Sequence, residues 1–412
     1  MTGLDTQAAA QALTPTPPKD RIATLDLIRG LAILGILAVN DAGFAVTFAG
    51  YSDGAFWPFP NEGLSAVCKW IVDAFFHQKF ISLFSMLFGV SLFLVGGERQ
   101  DRARGRLLRR RLFWLAVIAL VHGLALWWGD VLLLYAWSGL LVVFARSWRP
   151  GRLFGVGLVL FGLFAALQIV GMMAIDLAPP EQQARIAAQM TPSPARIAEV
   201  QEQYRLAGAS LAGAYRQNLA DWIALQAPSV LGFVVPTAGL MMIGLGLFKT
   251  GFFTGARSRA AYVVAAAIGL AALAAVGWIT WSRDIAGAEW RLGHGVEFAL
   301  NPVAAVGYAA LLILAWKAGA ASVLAPLAAA GRMALTNYLL QSLIMTSLFW
   351  GGRGLGLMGQ VDRPTLWLIV IVIWIVQLIG STLWLKAFAM GPAEWVWRRL
   401  TYGGRVPIRR TA

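Results

Sequence analysis

Long apolar runs separated by short polar breaks dominate the chain from about residue 27 onward. A helix needs about 20 apolar residues to cross the hydrocarbon core of a bilayer. Candidate runs lie at roughly 27–48, 78–96, 111–128, 131–146, 153–177, 227–248, 260–281, 301–317, 333–351 and 365–387. The pattern predicts an all-α fold, a polytopic transmembrane helix bundle of about ten spans. Only Trp128-Gly129-Asp130 separates the third and fourth runs, which predicts a tight hairpin. Residues 179–217 form the one sizeable segment outside the membrane. There Pro179, Pro180, Pro192 and Pro194 precede charges set among apolar residues (Arg196, Glu199, Glu202, Arg205). That spacing suits a short amphipathic helix lying on the membrane surface. Residues 1–24 read as a disordered tail whose polar, proline-rich start is unlike a cleavable signal peptide, and 405–412 as a second tail.

Composition strengthens this picture. Of the 412 residues, 58% are hydrophobic and 13% charged, against about 25% charged in an ordinary soluble domain. The 18 Trp and 44 Gly fit membrane helices, where glycine is frequent and tryptophan gathers at the water boundary. The single cysteine, Cys68, excludes an intramolecular disulfide and a multi-cysteine metal site. No other metal-ligand set is evident.

A net charge of +14 would suit nucleic acid, but its distribution points to a membrane instead. With the N-terminus inside and ten alternating spans, 24 of the 34 Lys and Arg fall on the inner side with 6 acids. The other 10 fall outside with 14 acids, so the faces carry +18 and −4. This positive-inside bias predicts that both termini are cytoplasmic, in an inner membrane. The expected partners are membrane lipids, not nucleic acid. The densest basic run, Arg102 to Arg111 (RARGRLLRRR), reads first as an anchor on anionic head groups and second as a grip on a phosphate-bearing ligand.

Polar groups inside spans are costly and are functional candidates by default. An outer group comprises Asn40 and Asp41 on the first span, His122 near the end of the third, and Asp130 at the hairpin. A histidine and a carboxylate facing one pocket can orient each other for general-base work. Two plainer readings stay open: His122 bonding a neighbouring helix, and Asp130 capping the fourth span. His77, Lys79 and His294 read as solvated loop residues. An inner group starts with Asp26 and Arg29. Arg29 and Asn40 share one helix face, about 16 Å apart along the axis. The pairs Asn337/Gln341 and Gln377/Ser381 each face one way at i, i+4 and suit interhelical hydrogen bonds. The Gly354–Gly359 stretch spells GxGxxG, but without the preceding strand of a dinucleotide fold it reads as a flexible turn.

The runs LDLIRGLAILGILAVN (25–40), KFISLFSMLFGVSLFL (79–94), HGLALWWGDVLLLYAWSGL (122–140), GLMMIGLGLFKTGFF (239–253), GRMALTNYLLQS (331–342) and GPAEWVWRRLTYGG (391–404) resemble the YeiB family of bacterial integral membrane proteins, a domain of unknown function. The resemblance covers nearly the whole chain. It implies a multi-pass protein of the bacterial cytoplasmic membrane, with a C-terminal bundle of YeiB type over 218–404. The N-terminal bundle, 25–178, also resembles a wider superfamily of membrane acyltransferases through LDxxRGxA…VN around Asp26, Arg29, Gly30 and Asn40. Those enzymes carry acyl groups from cytoplasmic acyl-CoA to acceptors across the membrane. They place an essential histidine on or just after the first span, where this chain has Asn40 and no histidine before His77.

The acyltransferase resemblance implies acyl-CoA as co-substrate, bound near Arg29 and Asp26 with Asn337 and Gln341 as further contacts. His122, Asp130 and Asn40 would then act on a small-molecule or glycan acceptor. A proton-coupled transporter or lipid-handling protein without covalent chemistry is the alternative. Nothing in the pattern fixes an oligomeric state.

Overall fold

The computed structural model describes residues 22–288, 291–404 and 406–410. The expected N-terminal tail lies outside these residues as far as position 21. The described chain is helical, with no strand and one isolated bridge between Phe388 and Arg409.

Helix α1 (Ala23–Ala45) is followed by α2 (Gly63–Ile71) and α3 (Lys79–Gly96), then by the hairpin of α4 (Arg102–Val121) and α5 (Leu132–Val143). After α6 (Pro150–Asp176) comes a polar excursion of two helices, α7 (Pro180–Met190) and α8 (Pro194–Ala207). The chain re-enters through α9 (Leu211–Lys249), α10 (Arg259–Asp284) and α11 (Arg291–Lys317). It ends with α12 (Ala325–Arg332), α13 (Ala334–Phe349), α14 (Arg363–Ala387) and the short α15 (Pro392–Tyr402). The segment expected at 179–217 thus holds two helices and the first turns of α9.

Seven helical stretches among the described residues are long and apolar enough to cross a bilayer: α1, α2 with α3, α6, α9, α10, α11 and α14. Three expected spans fall short of that standard. α4 begins inside the basic run, α5 has 12 residues and α13 has 16. Apolar side chains stand exposed along α6, α10 and α14, among them Leu163, Leu167, Trp278, Leu368 and Val372. Hydrocarbon solvates such a belt, and water does not.

Several basic residues lie together at one end of the bundle. There Arg146 Nε donates to the Gly97 carbonyl at 3.2 Å, and Lys249 Nζ donates to that of Trp148 at 3.2 Å. α15 lies across the same end: Trp397 Nε1 donates to the Arg111 carbonyl at 3.0 Å, and the Arg111 guanidinium stacks 3.7 Å over the Trp397 ring. Glu394 fixes α15 to α13. Its Oε1 accepts from the Leu335 and Thr336 amides at 2.7 and 3.1 Å, and its Oε2 accepts from Thr336 Oγ1 at 2.5 Å. A carboxylate on the exposed amides of a helix start is the usual way to satisfy them. Burial nevertheless pushes the Glu394 carboxyl above the ordinary carboxylate range, the three donors only partly opposing it.

The opposite, far end is held by ions. Lys69 lies 2.7 Å from Asp73 and 2.6 Å from Asp284, and Arg283 lies 2.9 Å from Asp73 and 2.7 Å from Glu297. Beside them the chain breaks between α2 and α3 in a π-turn (Val72–Phe76), with Gln78 left-handed at φ 61°. Lys79 is here fully buried instead of solvated. Its Nζ donates to the Asp73 and His77 carbonyls at 3.0 and 3.2 Å, and the His77 carbonyl also accepts from the Lys79 amide at 2.8 Å. Lys79→Met keeps the stem and removes the donor. A buried carbonyl left without its donor costs about 1–3 kcal/mol, so a lower thermal midpoint in detergent is expected; an unchanged midpoint would show that the Asp73 carbonyl finds water.

Candidate functional site

α4 does not end as a regular helix. Its last turn widens into a π-turn, His122–Leu126, closed by the Trp127 amide donating to the His122 carbonyl at 3.0 Å. The wider turn frees the carbonyls that follow. Asn218 Nδ2 donates to Gly123 O at 2.8 Å and to Leu124 O at 3.2 Å, and Arg353 Nη1 donates to Ala125 O at 3.1 Å. π-turns inside helices recur at functional sites because they re-aim side chains.

The side chain aimed by this turn is His122, 1% exposed. Its Nδ1 lies 2.7 Å from Asp130 Oδ2 and its Nε2 lies 2.8 Å from Ser342 Oγ. The other oxygen of Asp130 accepts from the Leu133 amide at 2.9 Å. One carboxylate therefore does both things the sequence left as alternatives: it caps the start of α5 and it orients His122. With the carboxylate ionised, Nδ1 carries the proton and donates to it. Nε2 then presents its lone pair and accepts from the Ser342 hydroxyl. Carboxylate, imidazole and hydroxyl stand in the order that activates a nucleophile.

Ser342 was not legible as a candidate. It closes the run GRMALTNYLLQS, and a serine in an apolar helix ordinarily bonds its own backbone. Only the fold brings it to a histidine 220 residues away.

Two cavities flank this cluster. The first, about 250 Å³, opens at the basic end. Its mouth is lined by Asp26, Arg29, Arg111, Arg332, Glu394 and Arg398, and its throat by Ile33, Phe88, Leu115, Tyr135 and Tyr338. The second, about 190 Å³, lies toward the far end and is lined by Asn40, Asp130, His77, Ser82 and Ser85, with Trp127 and Trp128. Both are bounded by Ile36 and Val131. On α1, Ile36 is about 10 Å above Arg29 and about 6 Å below Asn40 at about 1.5 Å per residue. The cavities are thus consecutive along the bundle, with His122 and Asp130 beside their junction. The Tyr338 ring lies 4.9 Å from the His122 ring. Its hydroxyl is buried near the Val131 backbone.

The residues singled out from sequence divide accordingly. Asp26 and Arg29, paired at 3.0 Å, meet at the basic mouth. Asn40 and Asp130 meet in the second cavity, and the Asn40 amide makes no hydrogen bond to any described residue. Asn337 and Gln341 line neither cavity. Gln341 Nε2 donates to Gln377 Oε1 at 2.8 Å, and Asn337 Nδ2 donates to Ser381 Oγ at 3.1 Å and to Ala330 O at 3.1 Å. Those bonds tie α13 to α14. His77, read as a loop residue, lines the second cavity, and His294 is exposed beside Arg283. The glycine-rich stretch forms the loop the sequence predicted, with Gly356 and Gly359 at φ 75° and 73°. It borders a far-end cleft of about 680 Å³ with Tyr204, Gln217, Trp350 and Gln360.

A family model described as a protein of unknown function (DUF418) matches residues 247–404. Among curated relatives, "Uncharacterized protein YeiB" of Escherichia coli K12 is 32% identical over 93% of this chain and 96% of its own length. "Uncharacterized protein YxaH" of Bacillus subtilis 168 is 30% identical over 97% and 98%. An "Uncharacterized 39.9 kDa protein in amylase 3'region" of Bacillus acidopullulyticus is 28% identical over 96% and 98%. No solved structure matches the chain. With likeness of this extent along nearly its whole length, the chain belongs to the YeiB family of multi-pass membrane proteins.

Proposed function

We propose that the protein transfers an acyl group from cytoplasmic acyl-CoA, through the bundle, to a hydroxyl or amine of a sugar, lipid or other small acceptor on the opposite side. The supporting observation is the pair of consecutive cavities that share Ile36 and Val131, with Asp130 lining the second and holding His122 buried behind it. The arginines at the basic mouth suit the phosphates of the nucleotide portion, since guanidinium forks match phosphate oxygens. The apolar throat suits the thioester arm and the acyl chain. The far-end cleft, with its amides and aromatic rings, gives the acceptor a place to approach. In this reading the basic end faces the cytoplasm.

The transporter reading has less support. An interrupted helix at mid-membrane is its usual sign; the prolines that could have broken α9, Pro228 and Pro236, lie inside a continuous helix.

The test is transfer of label from acyl-CoA by the purified protein in nanodiscs, with calorimetric binding of CoA beside it. Arg29→Ala and Arg111→Ala are each expected to raise the Kd for CoA about tenfold, the loss of about 1.4 kcal/mol of phosphate contact. Folded protein that neither binds CoA nor transfers label would rule the reading out.

A further inference from the structure

We propose that Ser342 is a nucleophile, carrying the acyl group as a covalent ester between donor and acceptor. The proposal rests on the acyl-transfer reading above and specifies its path.

The distinguishing observation is which partner the serine hydroxyl lies nearest. Most other hydroxyls on these helices bond the carbonyl one turn back. Ser82 does so at 2.6 Å, Ser85 at 2.7 Å, Ser91 at 3.0 Å and Thr346 at 2.6 Å. Ser342 stands 3.4 Å from the corresponding Tyr338 carbonyl and 2.8 Å from His122 Nε2. Its shorter contact is to the imidazole and its longer one to its own helix. Asp130 fixes the tautomer that can take the hydroxyl proton. Both Ser342 and His122 are 1% exposed, so water does not compete for the hydroxyl.

Access comes from the inner cavity. Tyr338 forms part of that cavity's wall and packs against His122. Displacing this ring opens the way from the cavity to His122 and Ser342. Ser342 follows one turn later on α13, buried behind this ring, within reach of the thioester end of a ligand once the ring has moved.

The chemistry balances without a further reactant. Ser342 Oγ attacks the thioester carbonyl as His122 Nε2 takes the hydroxyl proton. The C–S bond breaks, and the CoA thiolate leaves with the proton from His122. In the second half, an acceptor hydroxyl or amine entering from the far-end cavity attacks the serine ester. His122 removes its proton and returns it to Ser342 Oγ as the ester C–O bond breaks. A covalent relay lets donor and acceptor arrive from opposite ends, never meeting in one complex.

The experiment uses the full-length protein in nanodiscs with radiolabelled acetyl-CoA and, separately, palmitoyl-CoA, without acceptor. After acid quenching, peptide mapping is expected to place one acyl group on the peptide containing Ser342, released by hydroxylamine. Ser342→Ala is expected to lose the adduct and to slow transfer at least about 10³-fold, with its thermal midpoint near the parent's. Ser342→Cys is expected to recover an adduct as a thioester. Transfer by the parent with no adduct at Ser342, or undiminished transfer by a folded Ser342→Ala, overturns the nucleophile and leaves the acyl-transfer reading standing. Absence of transfer and adduct in the folded parent overturns both. Should Ser342→Ala misfold, the mapping on the parent alone decides.

Discussion

Asp130→Asn is expected to fold normally and to lower acyl transfer about 10⁴-fold. The substitution keeps the shape of the side chain, and its amide oxygen can still accept from Leu133, so the start of α5 remains capped. The amide nitrogen then faces His122 Nδ1, where the carboxylate oxygen lay at 2.7 Å. Two donors cannot share that position. Nδ1 must become the acceptor and Nε2 must carry the proton. The ring then offers Ser342 a donor where it needs an acceptor, and the base is lost without moving an atom far. A serine triad held in the wrong tautomer loses about four orders of magnitude. Asp130→Ala gives a different signature, because it also removes the cap, at about 1 kcal/mol. The check is transfer rate against thermal midpoint for both variants. Unimpaired transfer by Asp130→Asn would remove the pair from the chemistry.

Gly331→Leu is expected to abolish the folded state. α1 and α12 cross with Gly30 and Gly331 in contact. A Cβ at Gly331 would fall within the van der Waals radius of the Asp26 carbonyl, and one at Gly30 would meet that of Leu327. The obstructing atoms are backbone, so no rotamer change relieves them. Small residues at such crossings let membrane helices approach closely enough to bind by packing. Even Gly331→Ala must push the helices apart, at a cost of about 1–3 kcal/mol, and it displaces Asp26 and Arg29 at the cavity mouth. Size-exclusion profiles and thermal midpoints of the two variants test this. A monodisperse Gly331→Leu protein with the parent's midpoint would contradict the crossing.

Several features were legible from the chain alone because they depend on short-range pattern. The apolar runs mark the helices, since each must satisfy its backbone internally wherever it meets lipid. The Trp128-Gly129-Asp130 break gave the hairpin. The i, i+4 amides Asn337 and Gln341 read as interhelical ties, and they tie α13 to α14. The resemblance of the quoted runs indicated the YeiB family, which likeness along nearly the whole chain bears out. Composition misled on Lys79: a lysine next to a span start normally reaches water, and nothing local announced the π-turn whose carbonyls hold it.

Within the site, the sequence determined which residue types were out of place in an apolar environment: Arg29, Asn40, His122 and Asp130. Tertiary structure alone decided which of them meet, because contact depends on how distant helices cross, and no periodicity along one helix encodes the rotation of another. It put Arg29 and Asn40 on successive cavities, closed His122 onto Asp130, and brought up Ser342, a residue with no local mark, from the other half of the chain. A buried proton relay is fixed by tenths of an ångström between side chains, whereas apolar patterning fixes only which face of each helix avoids water.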